Sequence, residues 1–268
     1  MLRKPIFRFC GKQPFDFSRK HPYAPKPLSE VRRQIVTAVI GMVCSDGIVI
    51  AADQQISVPG QFKYHECKIE VQDRSPDWIV TFAYAGSPSL MKEAKGKILE
   101  KLRKDVPDVT PEAVHAVAES VLEGMGRQYV ELDLQLLIAT VTVSSLELLR
   151  FDGQSRALYA ADGFNCLGVG DSSLIRFLSD ALYSKTMSIY DAANLAVYLI
   201  DKAKKYIDHC GGETDLITIK RSGECEMMSL FAKDTALIDM QSSEDIVLKQ
   251  ILEAANPPKP HSKISPKP

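Results

Sequence analysis

Residues 37–53, TAVIGMVCSDGIVIAAD, form two apolar strand-like runs, with Thr37 at the head of the first and Asp53 at the end of the second. Lys68 follows at the start of a third strand-like run, KIEVQ. Three short strands paired side by side would bring a hydroxyl, a carboxylate and an ammonium group together at one end of a sheet. Placed within contact distance, these groups have the chemistry of an activated nucleophile.

The composition is that of a globular protein with a large core. The chain has 268 residues, of which 45% are hydrophobic and 25% charged, and its formal net charge is -1. A net charge this close to zero does not indicate a nucleic-acid-binding surface. The longest apolar runs, such as LLIATV at 136–141, are far shorter than a membrane span. The first residues mix Phe with Arg and Lys and lack the apolar segment of a signal peptide. We therefore expect a cytoplasmic protein without nucleic-acid or membrane partners.

The six cysteines are scattered and form no C-x-x-C pair. In a chain of this length they indicate free thiols in a reducing compartment, not a disulfide framework. Two close pairs, His65 with Cys67 and His209 with Cys210, have metal-binding side chains, but neither has the spacing of a zinc site, which takes four ligands. The GVGDSS turn at 168–173 lacks the third glycine of a dinucleotide-binding motif. We predict neither a metal nor a cofactor.

The two ends of the chain differ in composition from the middle. Residues 1–34 contain nine Lys or Arg against two acidic residues, together with five prolines, and the last residues are PPKPHSKISPKP. Neither segment can bury enough apolar surface to fold by itself. The predicted organisation is a basic N-terminal arm or propeptide at 1–36, a main domain at 37–230, a C-terminal extension with a helix at 231–256 and a disordered tail at 257–268.

Between the ends, strands and helices follow in a clear order: strands, two helices, strands, two helices and a last core strand, DLITIK. The predicted helices span 87–105, 110–130, 172–184, 188–208 and 242–255. Ser87 and Thr110 are expected to be N-caps, because a proline stands at the first helical position after each. This order predicts an α+β fold in which two β-sheets stack face to face, each covered on its outer side by a helix pair.

Thr37 has a clear chemical requirement if it is a nucleophile. A threonine hydroxyl needs a base, and a free α-amine with a pKa of about 8 serves when the threonine is the first residue of the chain. A neighbouring lysine lowers the pKa of the hydroxyl, and an aspartate keeps that lysine charged and in place. The alternative from spacing alone is an ordinary strand residue at Thr37, a strand-ending cap at Asp53 and a surface charge at Lys68.

The wider pattern resembles a known family. From about residue 37 to residue 220 the chain is similar to the proteasome β-subunits, including their bacterial two-ring relatives, within the N-terminal nucleophile hydrolases. The matching pieces are TAVIGMVCSDGIVIAAD, KIEVQD, FAYAGSPSLM, RFDGQSRALYAADGFNCLGVGDSS and KAKKYIDHCGG before DLITI. Gly41 falls four residues after Thr37, and Asp53 sixteen after it, which is the spacing of this family.

The resemblance implies a fold, an activity and a set of site residues. The fold would be a four-layer αββα sandwich, with 37–230 as a proteasome-like hydrolase domain. Thr37 would be the nucleophile, Asp53 and Lys68 its supporting pair, and the Gly86 N–H an oxyanion donor. The substrate would be a peptide or an unfolded protein.

The chain also departs from the family pattern. Val36 stands where members that mature by self-cleavage carry glycine, and a β-branched residue resists the strained turn that such cleavage requires. Val169 replaces a serine near the nucleophile. In place of D-x-x-S-G-G the chain has Asp208-His209-Cys210-Gly211-Gly212, with the aspartate one place late and cysteine for serine.

Two hypotheses follow. The first is a proteasome-like threonine peptidase that hydrolyses peptide bonds once residues 1–36 are removed. The second is a non-catalytic proteasome-like subunit that serves as a ring or scaffold component. In either case we expect a homo-oligomer, for which a ring is one arrangement. The apolar residues on the third and fourth helices that favour such contacts are Leu174, Phe177, Leu178, Leu182, Leu195, Val197, Tyr198 and Leu199.

Overall fold

The structure is a computed structural model that describes residues 37–57, 63–75, 78–126 and 134–255. The strands in these ranges are β1 (Ala38–Val43), β2 (Gly47–Asp53), β3 (Gln55–Ser57), β4 (Lys63–His65), β5 (Ile69–Ser75), β6 (Trp78–Ala85), β7 (Gln135–Thr142), β8 (Leu146–Asp152), β9 (Ala157–Ala160), β10 (Phe164–Gly168), β11 (Thr214–Lys220) and β12 (Cys225–Met227). The α-helices are α1 (Pro88–Asp105), α2 (Pro111–Gly124), α3 (Ser173–Leu182), α4 (Ile189–Tyr206) and α5 (Leu230–Ala255).

The strands form two five-stranded antiparallel sheets and a separate hairpin. The first sheet has the order β10-β1-β2-β11-β12 and the second the order β5-β6-β7-β8-β9, while β3 pairs with β4. The expectation that β1, β2 and the strand after Lys68 pair side by side is wrong. Both edges of β2 are occupied, by β1 and by β11, so β5 pairs with β6 in the other sheet.

The two sheets and the helices form four layers. Alternate residues of each strand point to opposite faces, so Val39, Ile48 and Ile50 join the core between the sheets. Ile40 and Met42 point the other way and pack with α3 and α4. A third cluster joins the outer face of the second sheet to α1 and α2. The predicted αββα sandwich is therefore confirmed, and burial on both faces explains why β1, β2, β6 and β7 are apolar at most positions.

The predicted helix starts are also confirmed. The Ser87 side chain accepts a hydrogen bond from the Leu90 N–H, and the Thr110 side chain accepts one from the Ala113 N–H. Ser188 caps α4 in the same way, through the Asp191 N–H. Each cap satisfies a backbone donor that has no partner inside the helix, which fixes the residue at which the helix begins.

Other boundaries differ from the sequence prediction. Helix α5 begins at Leu230, well before the predicted residue 242, because Ala236, Leu237 and Met240 pack its first turns against the α4 layer. The hairpin of β3 and β4 and the short strand β12 were not predicted. The end of the predicted second helix, the arm at 1–36 and the tail at 257–268 lie outside the described residues. Within the described ranges, no helix is both long and apolar enough to cross a membrane.

Four of the eight apolar residues predicted to contact neighbouring subunits are buried within the subunit itself. The α4 residues of that set, Leu195, Val197, Tyr198 and Leu199, are buried against the first sheet. Those on α3 differ, since Leu174, Phe177 and Leu182 are exposed. Within this set, the outward-facing residues are therefore on α3.

We predict opposite effects for alanine at two glycines. At Gly47 an added Cβ would lie 2.3 Å from the Ile219 carbonyl oxygen of β11 and 2.7 Å from Ile189 Cδ1. Backbone cannot move away easily, so Gly47→Ala should lower the free energy of unfolding by about 1–3 kcal/mol. At Gly96, inside α1, a Cβ would meet nothing within 4 Å, and Gly96→Ala should raise it by about 0.5–1 kcal/mol. Urea denaturation of both variants tests this, and changes of the same sign would contradict it.

Candidate active site

A buried ion pair joins the two sheets at one end of the sandwich. Lys68 Nζ lies 2.8 Å from Asp53 Oδ1, and the two side chains are 1% and 0% exposed. Asp53 ends β2 in the first sheet, whereas Lys68 immediately precedes β5 in the second. The ammonium group also donates to the Gln55 carbonyl at 2.7 Å. The predicted pairing of Asp53 with Lys68 is present, but it is made between the sheets and not along one sheet.

The Asp53 carboxylate also accepts two backbone hydrogen bonds. The Ala38 N–H donates to Oδ1 at 2.9 Å, and the Gly211 N–H donates to Oδ2 at 3.1 Å. The first bond fixes the start of β1, which is the point where Thr37 enters the sheet. The second attaches the double-glycine loop after α4. Together with Lys68, these donors surround a carboxylate that would otherwise be buried without compensation.

Thr37 is adjacent to this pair through its backbone. It is buried, and its carbonyl accepts a hydrogen bond from the Val169 N–H at 2.8 Å. Its peptide bond to Ala38 carries the N–H that Asp53 binds. Among the described residues, no hydrogen bond joins the Thr37 hydroxyl to Lys68 or to Asp53. The structure thus brings the Thr37 backbone next to the ion pair without engaging its hydroxyl.

Burial changes the acid–base properties of the lysine. Removal from water lowers the pKa of Lys68, and the Asp53 carboxylate opposes this effect without cancelling it, so the pKa stays below its ordinary value. A lysine with a lowered pKa releases its proton more readily than one on the surface. Burial thus disfavours the charged form of Lys68, and the Asp53 carboxylate is the main group that favours it.

Gly86 lies between β6 and α1 and has a φ of 103°. This is left-handed backbone, which glycine adopts without strain. The Tyr84 N–H donates to the Lys68 carbonyl at 3.2 Å, so the end of β6 that leads to Gly86 is held beside Lys68. Gly86 also precedes the N-terminus of α1, where the helix dipole favours negative charge. The oxyanion role of its N–H remains a prediction.

The GVG turn after β10 holds the start of β1. The predicted strand at 164–170 ends at Gly168, and residues 169–171 form a 3₁₀ turn. Gly168 N–H donates to Gln135 Oε1 at 2.7 Å, and an added Cβ on Gly170 would lie 3.0 Å from the Val39 carbonyl oxygen. Val169 therefore lies beside Thr37, as the family resemblance implies, but its side chain has no exchangeable proton.

Asp171 attaches the same turn to the second sheet and to α3. The buried Arg150 of β8 donates to Asp171 Oδ2 at 3.0 Å and to Asn165 Oδ1 of β10 at 2.7 Å. Arg176 of α3 donates to Asp171 Oδ1 at 2.9 Å. The turn that holds Thr37 is thus fixed by cations from the second sheet and from the helix layer.

Cys210 stands in the loop that contacts Asp53. Burial raises the pKa of its thiol to about 12, and the Asp53 carboxylate adds to that effect while Lys68 opposes it. The side chain is therefore a neutral thiol at physiological pH. A thiol is a weaker hydrogen-bond donor and acceptor than the serine hydroxyl of the family pattern.

Sequence reasoning did not identify Gln55. Its carbonyl binds Lys68 Nζ, its N–H donates to the Gly211 carbonyl at 3.0 Å and its side-chain amide donates to the His209 carbonyl at 2.6 Å. A Cβ on Gly211 would lie 2.6 Å from Gln55 Oε1, so a larger residue there would require the Gln55 side-chain amide to move. The one available signal was its position two residues after Asp53. In the described part of the chain, no group of three His, Cys, Asp or Glu side chains is placed to hold a metal ion.

The structure is similar to solved structures of Anbu proteins. A Gly-1 mutant of Anbu from Hyphomicrobium sp. strain MC1 matches with a TM-score of 0.69 and 13% identity, over 81% of this chain and 100% of that one. Anbu from Yersinia bercovieri, described as an ancestral β-subunit, matches with a TM-score of 0.66 and 12% identity, over 80% and 97%. Anbu from Pseudomonas aeruginosa, solved as a helical assembly, matches with a TM-score of 0.62 and 14% identity, over 79% and 96%.

No protein-family model and no curated protein matches the sequence. At an identity of 12–14% the structural likeness shows the fold alone. The chain has the fold of these Anbu structures.

Proposed function

We propose that the chain is the precursor of a threonine peptidase whose nucleophile is Thr37. The observation that carries this proposal is the buried pair of Asp53 and Lys68, whose carboxylate binds the backbone N–H directly after Thr37. The proteasome β-subunit-like fold supports it, because the family resemblance implies a nucleophile at this position. Removal of residues 1–36 would make Thr37 the first residue.

The proposed reaction is an acyl transfer in two steps. The free amine of Thr37 takes the proton of its own hydroxyl, and the oxygen attacks the carbonyl of a bound peptide. Lys68 stabilises the negative charge on the nucleophile, and the Gly86 N–H donates to the oxyanion of the tetrahedral intermediate. The peptide amine leaves with the proton, and water then hydrolyses the ester to restore the Thr37 hydroxyl. No metal or cofactor takes part in this scheme.

The substrate of this proposal is a peptide or an unfolded protein in the cytoplasm. The compartment is inferred from the cysteines, since Cys44, Cys67, Cys166 and Cys210 are free thiols, as expected in a reducing environment. The Anbu complex from Pseudomonas aeruginosa forms a helical assembly. We propose that this chain also assembles with copies of itself, in a ring or another repeating arrangement.

The second candidate function is a non-catalytic subunit of such an assembly. Two observations favour it. Thr37 is buried in the full-length chain, and its hydroxyl makes no hydrogen bond to Lys68 or Asp53 among the described residues. The neighbouring Val169 and Cys210 side chains also supply no hydroxyl to a proton relay. In this case the ion pair has a structural role and residues 1–36 stay attached.

The first prediction from this proposed function concerns the N-terminus. A chain that begins at Thr37 should hydrolyse fluorogenic peptides at a rate on the order of 10²-fold or more above the full-length chain, because a peptide amide at Thr37 cannot act as the base. Thr37→Ala in the shortened chain should abolish the gain. N-terminal sequencing of the protein from its native host shows whether this cleavage occurs. A shortened chain that is folded, assembled and inert toward a broad peptide library favours the scaffold function.

The second prediction concerns the residues that depart from the family. Val169→Ser and Cys210→Ser, combined in the chain that begins at Thr37, should raise kcat more than they change KM, because each adds a hydroxyl near the nucleophile. A matched control is Cys166→Ser, a buried cysteine of β10 whose side chain lies in the core between the first sheet and helices α3 and α4. Equal kcat values for the double variant and the shortened parent would contradict a proton relay at these positions.

The third prediction concerns the ion pair. Asp53→Asn or Lys68→Met should each lower the free energy of unfolding by about 3–5 kcal/mol, because each leaves a buried charge without its partner. The double variant should recover much of this loss. The exposed pair of Glu93 and Lys97 is the control, and its removal should change stability by less than about 0.5 kcal/mol. Chemical denaturation measures all of these values, and strictly additive single effects would show that the two groups do not interact.

A further inference from the structure

Asp215 is a buried carboxylate that the proposed reaction does not use. It lies in β11, one position after the residue that pairs with Asp53, and it is 5% exposed. Alternate residues of a strand share a face, and Ile217 and Ile219 of β11 belong to the core between the two sheets. Asp215 therefore continues this apolar face into the end of the sandwich that holds the ion pair. A charge buried at such a position is costly unless it has partners.

Only one of the two Asp215 carboxylate oxygens is hydrogen-bonded within the described chain. Gln54 Nε2 donates to Oδ1 at 2.7 Å. Oδ2 is buried, and no hydrogen bond of the described residues reaches it. The Cys67 thiol lies nearby but donates to the Ile69 carbonyl at 3.1 Å. One neutral amide offsets only part of the cost of burying a carboxylate, so Asp215 requires a nearby cation.

Lys68 is the cation that faces Asp215. Its side chain starts just before β5 in the second sheet and reaches Asp53 in the first, so its ammonium group lies between the sheets, on the side to which Asp215 points. The residue before Lys68 is also affected by this carboxylate. Burial and, to a smaller extent, Asp215 raise the pKa of the Cys67 thiol to about 11.

The titratable groups around Lys68 come from three elements. They are Asp53 at the end of β2, Asp215 in β11 and Cys210 in the double-glycine loop, and each favours the charged form of Lys68, which burial disfavours. Cys210 is a neutral thiol at physiological pH, so the negative charge comes from the two carboxylates. Asp53 shares its oxygens with two backbone N–H groups. Asp215 Oδ2 has no such competing donor among the described residues.

We propose that Asp215 is a positioning residue of the site, which together with Asp53 holds the Lys68 ammonium group charged and in place. Its catalytic consequence rests on the proposed function. In that reaction a charged Lys68 stabilises the oxygen of Thr37 as it loses its proton, and Asp215 acts through Lys68 without touching the substrate. The electrostatic contact itself belongs to the full-length chain and can be measured there.

A double-mutant cycle in the full-length chain tests the contact. Asp215→Asn keeps an oxygen that can accept from Gln54 and removes the charge, and it should lower the urea midpoint by about 0.5 M or more. In a Lys68→Met background the same substitution should have a smaller effect or raise the midpoint, because the carboxylate has lost its cation. The matched control is Glu213→Gln, which removes an exposed charge two residues away and should have the same small effect in both backgrounds.

The pH dependence gives the same test if Lys68→Met does not fold. The midpoint difference between the parent and Asp215→Asn should shrink as the pH rises through the pKa of Lys68, because a neutral lysine no longer attracts the carboxylate. The corresponding difference for Glu213→Gln should not follow the titration of Lys68.

The chain that begins at Thr37 tests the catalytic consequence. Loss of the Asp215 charge lowers the pKa of Lys68 further, so Asp215→Asn should move the high-pH limb of kcat by about one pH unit to lower pH and leave KM unchanged. Glu213→Gln should leave the limb in place. Additive midpoint shifts, or an unmoved limb in an active shortened chain, overturn the inference. Coupled midpoints together with a folded but inert shortened chain overturn the proposed peptidase, while the contact of Asp215 with Lys68 stands.

Discussion

The buried ion pair of Asp53 and Lys68 is the constraint on which the arrangement at this end of the sandwich depends. Moving two charges out of water costs several kcal/mol per ion, and their attraction offsets this only when further hydrogen bonds satisfy the remaining atoms. Here the Gln55 carbonyl, the Ala38 N–H and the Gly211 N–H supply them. Those groups come from the start of β3, the start of β1 and the double-glycine loop, so the pair fixes three backbone segments relative to one another.

Stability alone gives little reason for such a pair. Well-packed apolar residues of similar volume often replace a buried ion pair with no loss of stability, and the layers on either side already have extensive apolar cores. The Lys68 ammonium would have a catalytic role beside Thr37 if the Thr37 hydroxyl must lose a proton, because a nearby positive charge stabilises the resulting alkoxide. The Val169 and Cys210 side chains argue against a catalytic role, because neither supplies a hydroxyl that could exchange a proton with Thr37. The site combines a complete charge pair with an incomplete proton relay.

The sequence predicted those features that local patterns determine. The strands β1, β2 and β6 are continuous apolar runs, and α1 and α2 begin with a capping residue followed by proline, so each was identified from adjacent residues. The sheet to which β5 belongs was not identified, because pairing depends on which strand edges are free. The edge of β2 is taken by β11, a strand far along the chain that places Thr214 opposite Asp53. Strands of three residues, such as β3 and β12, are too short to show alternation. Gln55 acts largely through its backbone, which leaves no chemical signal in its identity.

The candidate site and α3 are physically connected. Arg176 of α3 binds Asp171, which belongs to the 3₁₀ turn. The Val169 N–H of the same turn holds the Thr37 carbonyl at 2.8 Å. Arg150 binds the second oxygen of Asp171 from the opposite sheet, so the turn cannot move without breaking a buried charge-assisted bond. The position of the Thr37 backbone therefore depends on two charged contacts of one carboxylate, one from the second sheet and one from α3.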